Sequence, residues 1–187
     1  MDTNARQCAK TCFFHLRRIR QLRRHVDYET LYTLVRALVL SRLDYCNSLF
    51  TSSSTSTIKR LPRVQDAAAR LLCNAPPRAR ASPLRKQLHW LPVSSRIPYK
   101  LCTIMFDVQH GREPEYITDL CVPSQDSRLR SAARGNFQVR GTKLKLTASA
   151  FSAAGPRHYS TLPTWLRQAG SPVTFGSKLK THLFSVI

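Results

Sequence analysis

Apolar residues recur along this chain mostly at three- and four-residue intervals, the period of helices that bury one face. The clearest run is Gln87 to Gly111. Leu101, Ile104, Met105 and Val108 follow i, i+3, i+4, i+7 spacing, and Cys102 and Phe106 widen that face, which predicts burial on more than one side. Pro92 suits the first helical position and Gly111 the left-handed residue that ends a helix. Trp90 is expected to pack back on this helix, with the flanking segments gathered around it.

The same period places the other elements. Residues 8–24 read as an amphipathic helix with Cys12, Leu16, Ile19, Arg23 and Val26 on one side and Phe13 and Leu22 near it. Asp27 is a good N-cap for a central helix over Tyr28–Phe50, whose apolar set is Leu31, Leu34, Val35, Leu38, Val39, Leu43, Cys46 and Leu49. Tyr45 is expected in the core, and Arg36, Arg42, Asp44 and Asn47 in a buried polar network, because buried charges must be paired. The polar run 51–57 is a loop. A helix from about Lys59 to Asn74 buries Leu61, Val64, Ala68, Leu71 and Leu72. After a Pro-rich basic loop come a helical turn over 84–88, a short helix over 112–120 and a last helix over Thr174–Phe184. Alternation from Asn136 to Leu146, with Gly141 between two apolar pairs, predicts a small β-hairpin near 136–146. The fold class is therefore mainly α, an irregular helical bundle, divided into a helical module over 1–125 and a basic C-terminal segment over 126–187.

Charge adds a partner class. Thirty Lys and Arg stand against ten Asp and Glu, a formal +20, and no acidic side chain follows Asp126. Such a field attracts polyanions, most simply nucleic acid. An acidic membrane surface and a ribosomal-type role are the rival readings of charge alone. No run of 18 apolar residues is present, so no membrane partner is expected. The candidate phosphate contacts are Lys10, Arg17, Arg20 and Arg24 on the first helix, Lys59, Arg63 and Arg70 on the helix after the polar loop, and Arg78 and Arg80 beyond it. Their competing reading is a solvated basic face.

Catalytic chemistry is sparse. No two Asp are adjacent, the six Gly stand singly, and none of the six His or the Ser residues sits in a nucleophile-elbow context. His89 reads as a packed or capping residue, and His110 as one placed at a helix C-terminus. The six Cys show no Cys-x-x-Cys; Cys8, Cys12 and His15 could approach a metal but lack a fourth ligand. No catalytic residue, metal or cofactor is assigned, and reduced thiols in a nuclear or cytoplasmic setting are expected.

Leu88-His89-Trp90-Leu91-Pro92-Val93, followed by Arg96-Ile97 and Lys100-Leu101, resembles the region downstream of the polymerase palm in non-LTR (LINE-type) retrotransposon reverse transcriptases, chicken-repeat-like and jockey-like. Arg42 to Leu49, Arg63-Val64-Gln65 with Ala67 to Leu71, Pro114 to Leu120, and Leu129-Arg130-Ser131 resemble further signatures in the same order. So do Ala150-Phe151-Ser152, Leu162-Pro163 and Phe175 to Phe184, and the likeness spans about 11–184. Pro62, Pro98 and Tyr159-Ser160, where the family has Trp-Asn, depart from it. The resemblance implies a thumb-like module that holds RNA, DNA or an RNA–DNA hybrid by its backbone. It also implies a parent polyprotein whose palm carries the catalytic aspartates, so this chain alone is not expected to polymerise. The alternatives are a retroelement remnant without function and a host-adopted protein-interaction module using the Tyr28–Phe50 helix.

Overall fold

A computed structural model describes residues 2–45, 60–123, 137–139 and 141–186, with the backbone alone for Asp2, Lys145 and Leu146. Lys59, the 46–50 helix end, the 51–57 loop and the 124–136 segment with Leu129-Arg130-Ser131 lie outside the described residues. The chain divides into two compact units, Met1–Ser94 and Ser95–Ile187. The division drawn from sequence at 125/126 falls inside the second unit. The reason is that the helix beginning at Val93 joins its core to the C-terminal helices.

The first unit opens with α1 (Asp2–Leu22), then α2 (Tyr28–Val35), a π-helical turn (Arg36–Leu40) and α3 (Ser41–Asp44). It continues with α4 (Arg60–Leu72) and α5 (Ala81–Gln87). Ala5, Ala9, Cys12, Leu16 and Ile19 are buried at spacings of four and three, so α1 presents one continuous seam. That seam packs against α4 and the π-helical segment. Fully burying a Leu, Ile or Val contributes about 1.5–3 kcal/mol, so this face holds α1 in place. Phe13 and Leu22, expected near the buried side, are exposed.

The Tyr28–Phe50 expectation needs a correction in phase. The Ser41 amide donates to the Arg36 carbonyl, five residues back. This inserts one residue into the helical period. Val39 and Leu40 are then both buried, Leu38 is half-buried, and the helix ends at Tyr45 with extended backbone. Tyr45 is 77% exposed, not core, and Arg36 and Arg42 face solvent instead of forming a buried network. Pro62 is the third residue of α4, where no helical N–H partner is lost.

Trp90 belongs to the first core, 6% exposed, with its ring 6.3 Å from Tyr32. Val93, the first residue of the helix that follows, lies in the same core. That helix, α6 (Val93–Gln109), carries Pro98 inside it and ends as predicted. Gly111 has φ +64°, its amide bonds to the Val108 carbonyl, and the Arg112 amide bonds to that of Asp107. This is a Schellman closure.

The second unit adds α7 (Glu115–Thr118), α8 (Lys145–Ala148), α9 (Phe151–Ser160), α10 (Thr164–Arg167) and α11 (Pro172–Ser185). Phe106 of α6 stacks on Phe175 of α11 at 4.2 Å, with rings 12° apart. Tyr159 is fully buried, and its hydroxyl donates to Gln109 Oε1 at 2.5 Å. Among the described residues of 136–146 no hairpin forms. Phe137 pairs with Pro123 in an isolated antiparallel bridge, and Lys145–Ala148 is a helical turn. Phe137 finds its burial beside Tyr159 at 5.9 Å, so no second strand is required. Among the described residues there is no strand beyond this bridge, and the mainly helical reading holds.

Candidate nucleic-acid interface

The seam that buries α1 leaves its opposite side to solvent. Lys10, Arg17 and Arg20 are exposed there, and Arg24 is exposed in the turn just beyond the helix. Their positions, extended back to Arg6 and through Phe13, step by four, three, four, three and four residues. Such steps keep side chains on one face. Lys10 to Arg20 spans about 15 Å at the helical rise of 1.5 Å per residue. Phe13, 38% exposed, sits within the row as an apolar surface between cations. Beside it, the Arg18 guanidinium lies 5.6 Å from the Phe14 ring centroid, a cation–π contact.

The C-terminal ends of α1 and α4 lie together. The Arg23 guanidinium donates to the side-chain oxygen of Asn74. Asn74 has φ +51°, and the Ala75 amide bonds to the Arg70 carbonyl, closing α4 as Gly111 closes α6. Arg70 is half-buried, and its Nε donates to the Ala79 carbonyl at 2.9 Å. That bond folds the following loop onto the helix end and leaves Arg78 and Arg80 exposed. Arg20, Arg23, Arg24, Arg70, Arg78 and Arg80 therefore gather at one end of the helix pair. Both helices end there, so their carbonyl termini favour cations. Asp27 and Glu29, at the start of α2, are the exposed acids close by in sequence. The Asp27 carboxyl is held below its usual range, chiefly by a hydrogen bond from the Thr30 side chain.

Arg63 is exposed on α4. Asp66 on the same helix is neutralised by Arg85 of α5, so it subtracts little from the field. Two residues are not found by sequence reasoning. The spacing puts Arg23 on the apolar side, whereas its partner is Asn74. Arg6 continues the exposed row by one helical turn, a signal already present in the spacing.

The described thiols and imidazoles pack against backbone carbonyls and rings. Cys8 Sγ faces the Arg42 carbonyl at 3.5 Å and Cys12 Sγ the Val39 carbonyl at 3.9 Å. A hydrogen bond from Cys12 lowers the Cys8 thiol to about 7, against the effect of its partial burial and with help from Arg42. Burial pushes the Cys102 thiol up to about 12. The His15 ring lies edge-on to Phe14 at 5.6 Å, and among the described residues no three His, Cys, Asp or Glu are grouped to hold a metal ion. His89, with φ +52°, is the left-handed residue closing α5. His110 Nδ1 lies 2.7 Å from the Phe106 carbonyl. Among the described residues no helix is long and apolar enough to cross a membrane. Comparison with known proteins finds no matching family model, no matching curated protein and no matching solved structure.

Proposed function

We propose that this chain is the post-palm, thumb-like portion of a non-LTR retrotransposon reverse transcriptase and that its first unit binds RNA, DNA or an RNA–DNA hybrid by the phosphate backbone. One observation carries the binding reading: Lys10, Arg17, Arg20 and Arg24 stand exposed in one row on the side of α1 that the core does not use. Resemblance supplies the family, and charge supplies the ligand class. A row of flexible cations fits backbone contact and carries no base readout, so binding is tolerant of sequence. Polymerisation belongs to the palm of the parent protein, because this sequence has no adjacent Asp pair to hold two metal ions.

The test is affinity for a labelled RNA–DNA hybrid across a salt series. The wild-type chain gives a straight line of log affinity against log salt. Replacing Lys10, Arg17, Arg20 and Arg24 with Gln lowers that slope by up to about 4, roughly one for each phosphate that is no longer neutralised. An unchanged slope in a variant with unchanged circular dichroism defeats the assignment.

A further inference from the structure

The two tryptophans of the chain differ sharply. Trp90 is core, whereas Trp165 on α10 is 54% exposed. Its indole meets the His182 ring of α11 edge-to-face, 6.3 Å between centroids and 85° between planes. This contact fixes the indole and leaves much of it open to solvent. Lys178 is exposed one helical turn before His182, so it shares that side of α11. No acidic side chain follows Asp126, so the segment that builds this patch contributes cations alone.

An exposed aromatic among cations fits either a nucleobase or an anionic lipid surface. A lipid surface needs several apolar side chains in one plane. The prominent exposed apolar residues of α11 and its C-cap are Val173, 83% exposed, and Val186, 73% exposed. Val173 lies nine residues before His182, which at 100° per residue is the opposite side of the helix, whereas Val186, four residues after His182, adds one aliphatic side chain to the near side. The patch is therefore one held ring with a cation on one side and a single valine on the other, too few apolar groups for a lipid surface. That geometry suits a single unpaired base, since every base has a π-face.

We propose that Trp165 stacks an unpaired nucleobase while Lys178 takes the adjoining phosphate, giving the second unit a preference for single-stranded nucleic acid. This rests on the nucleic-acid reading above and adds a strand preference that phosphate contacts do not provide.

The test titrates the full chain with an oligothymidylate and with the duplex that it forms with oligoadenylate. It compares wild type, Trp165→Ala, Trp165→Phe and Lys178→Ala, reading affinity and tryptophan emission. Single-strand binding quenches wild-type emission. Trp165→Ala weakens single-strand affinity by roughly five- to a hundredfold, the range expected for removing one base stack, and leaves duplex affinity unchanged. Trp165→Phe keeps most of the affinity, because a ring remains. Lys178→Ala lowers the salt slope by about one. Equal single-strand affinity for wild type and Trp165→Ala overturns the proposal while leaving backbone binding intact. Failure of wild type to bind either nucleic acid overturns both readings. A blue shift with phosphatidylserine vesicles and no quenching by oligothymidylate assigns the patch to lipid and overturns it as well.

Discussion

Gln65, a fully buried amide on α4, donates through Nε2 to the carbonyl of Leu91 at 2.7 Å. Its Oε1 accepts the Val93 amide at 3.2 Å. One side chain thereby satisfies a carbonyl and an amide on either side of Pro92, which itself can contribute no donor. Replacing Gln65 with Leu keeps the volume and strands a buried carbonyl and a buried amide. Each unsatisfied group costs about 1–3 kcal/mol, so the variant loses roughly 2–6 kcal/mol. Urea unfolding with an unchanged m-value measures it. A loss under about 0.5 kcal/mol would mean that the amide is replaceable by water.

The same residue marks what can be read from sequence. The helical period locates α1, α4, α6 and α11 and most of their buried residues, because each buries one apolar stripe. Gln65 stands in a motif but breaks the apolar period, so its burial is not legible. Helix α9 escapes the pattern because Gly155 and Pro156 lie inside it. The π-helical turn leaves no mark either. It adds a residue through a backbone bond, and the sequence pattern remains that of an ordinary helix. The basic row on α1 is legible because solvent exposure is the complement of an unambiguous apolar seam. Nothing in the spacing foretells that Arg23 reaches Asn74 at the end of another helix.

Gly155 is required by its neighbour, not by its backbone. A Cβ there would lie 2.8 Å from Met105 Sδ and 3.2 Å from Met105 Cγ. Ala should otherwise be favoured over Gly in a helix by up to about 1 kcal/mol. Overpacking a filled core costs about 1–3 kcal/mol, so Gly155→Ala is expected to destabilise by roughly 1 kcal/mol. In a Met105→Ala background only the Phe151 Cε2 contact at 3.3 Å remains, so the penalty should shrink or reverse. Thermal melts of the four proteins of this double-mutant cycle give the coupling directly, and additive effects would refute the contact.

Cys8 is the described thiol expected to react nearest neutrality. Its value is lowered from 9.0 to about 7, chiefly by the Cys12 hydrogen bond. Iodoacetamide labelling followed by peptide mass spectrometry should show a half-maximal Cys8 rate near pH 7. Cys102, buried and raised to about 12, should stay unlabelled until the protein unfolds. Cys12→Ala removes the donor and moves the Cys8 midpoint upward. The sign for stability follows from the same shift. The unfolded chain holds the Cys8 proton between about pH 7 and 9 while the folded chain releases it, so this group adds stability as pH rises through that window and loses it as pH falls through 7.

Arg70 and Arg63 share a helix and a charge, yet they should fail differently. Arg63 is exposed, whereas Arg70 is half-buried and spends its Nε on the Ala79 carbonyl. Arg63→Ala is expected to stay within about 0.5 kcal/mol of wild-type stability and to reduce the salt slope of nucleic-acid binding by about one. Arg70→Ala loses a charge-assisted hydrogen bond and its packed stem, at about 1.5–3 kcal/mol, because the loop carrying Arg78 and Arg80 is no longer held. Arg70→Lys separates the two roles. It keeps the charge but has no Nε, so the salt slope is retained while the stability is not. Urea midpoints and salt slopes measured on all three variants decide the matter. If Arg70→Lys restores both quantities, Arg70 contributes only charge, and the bond to Ala79 does not position the loop.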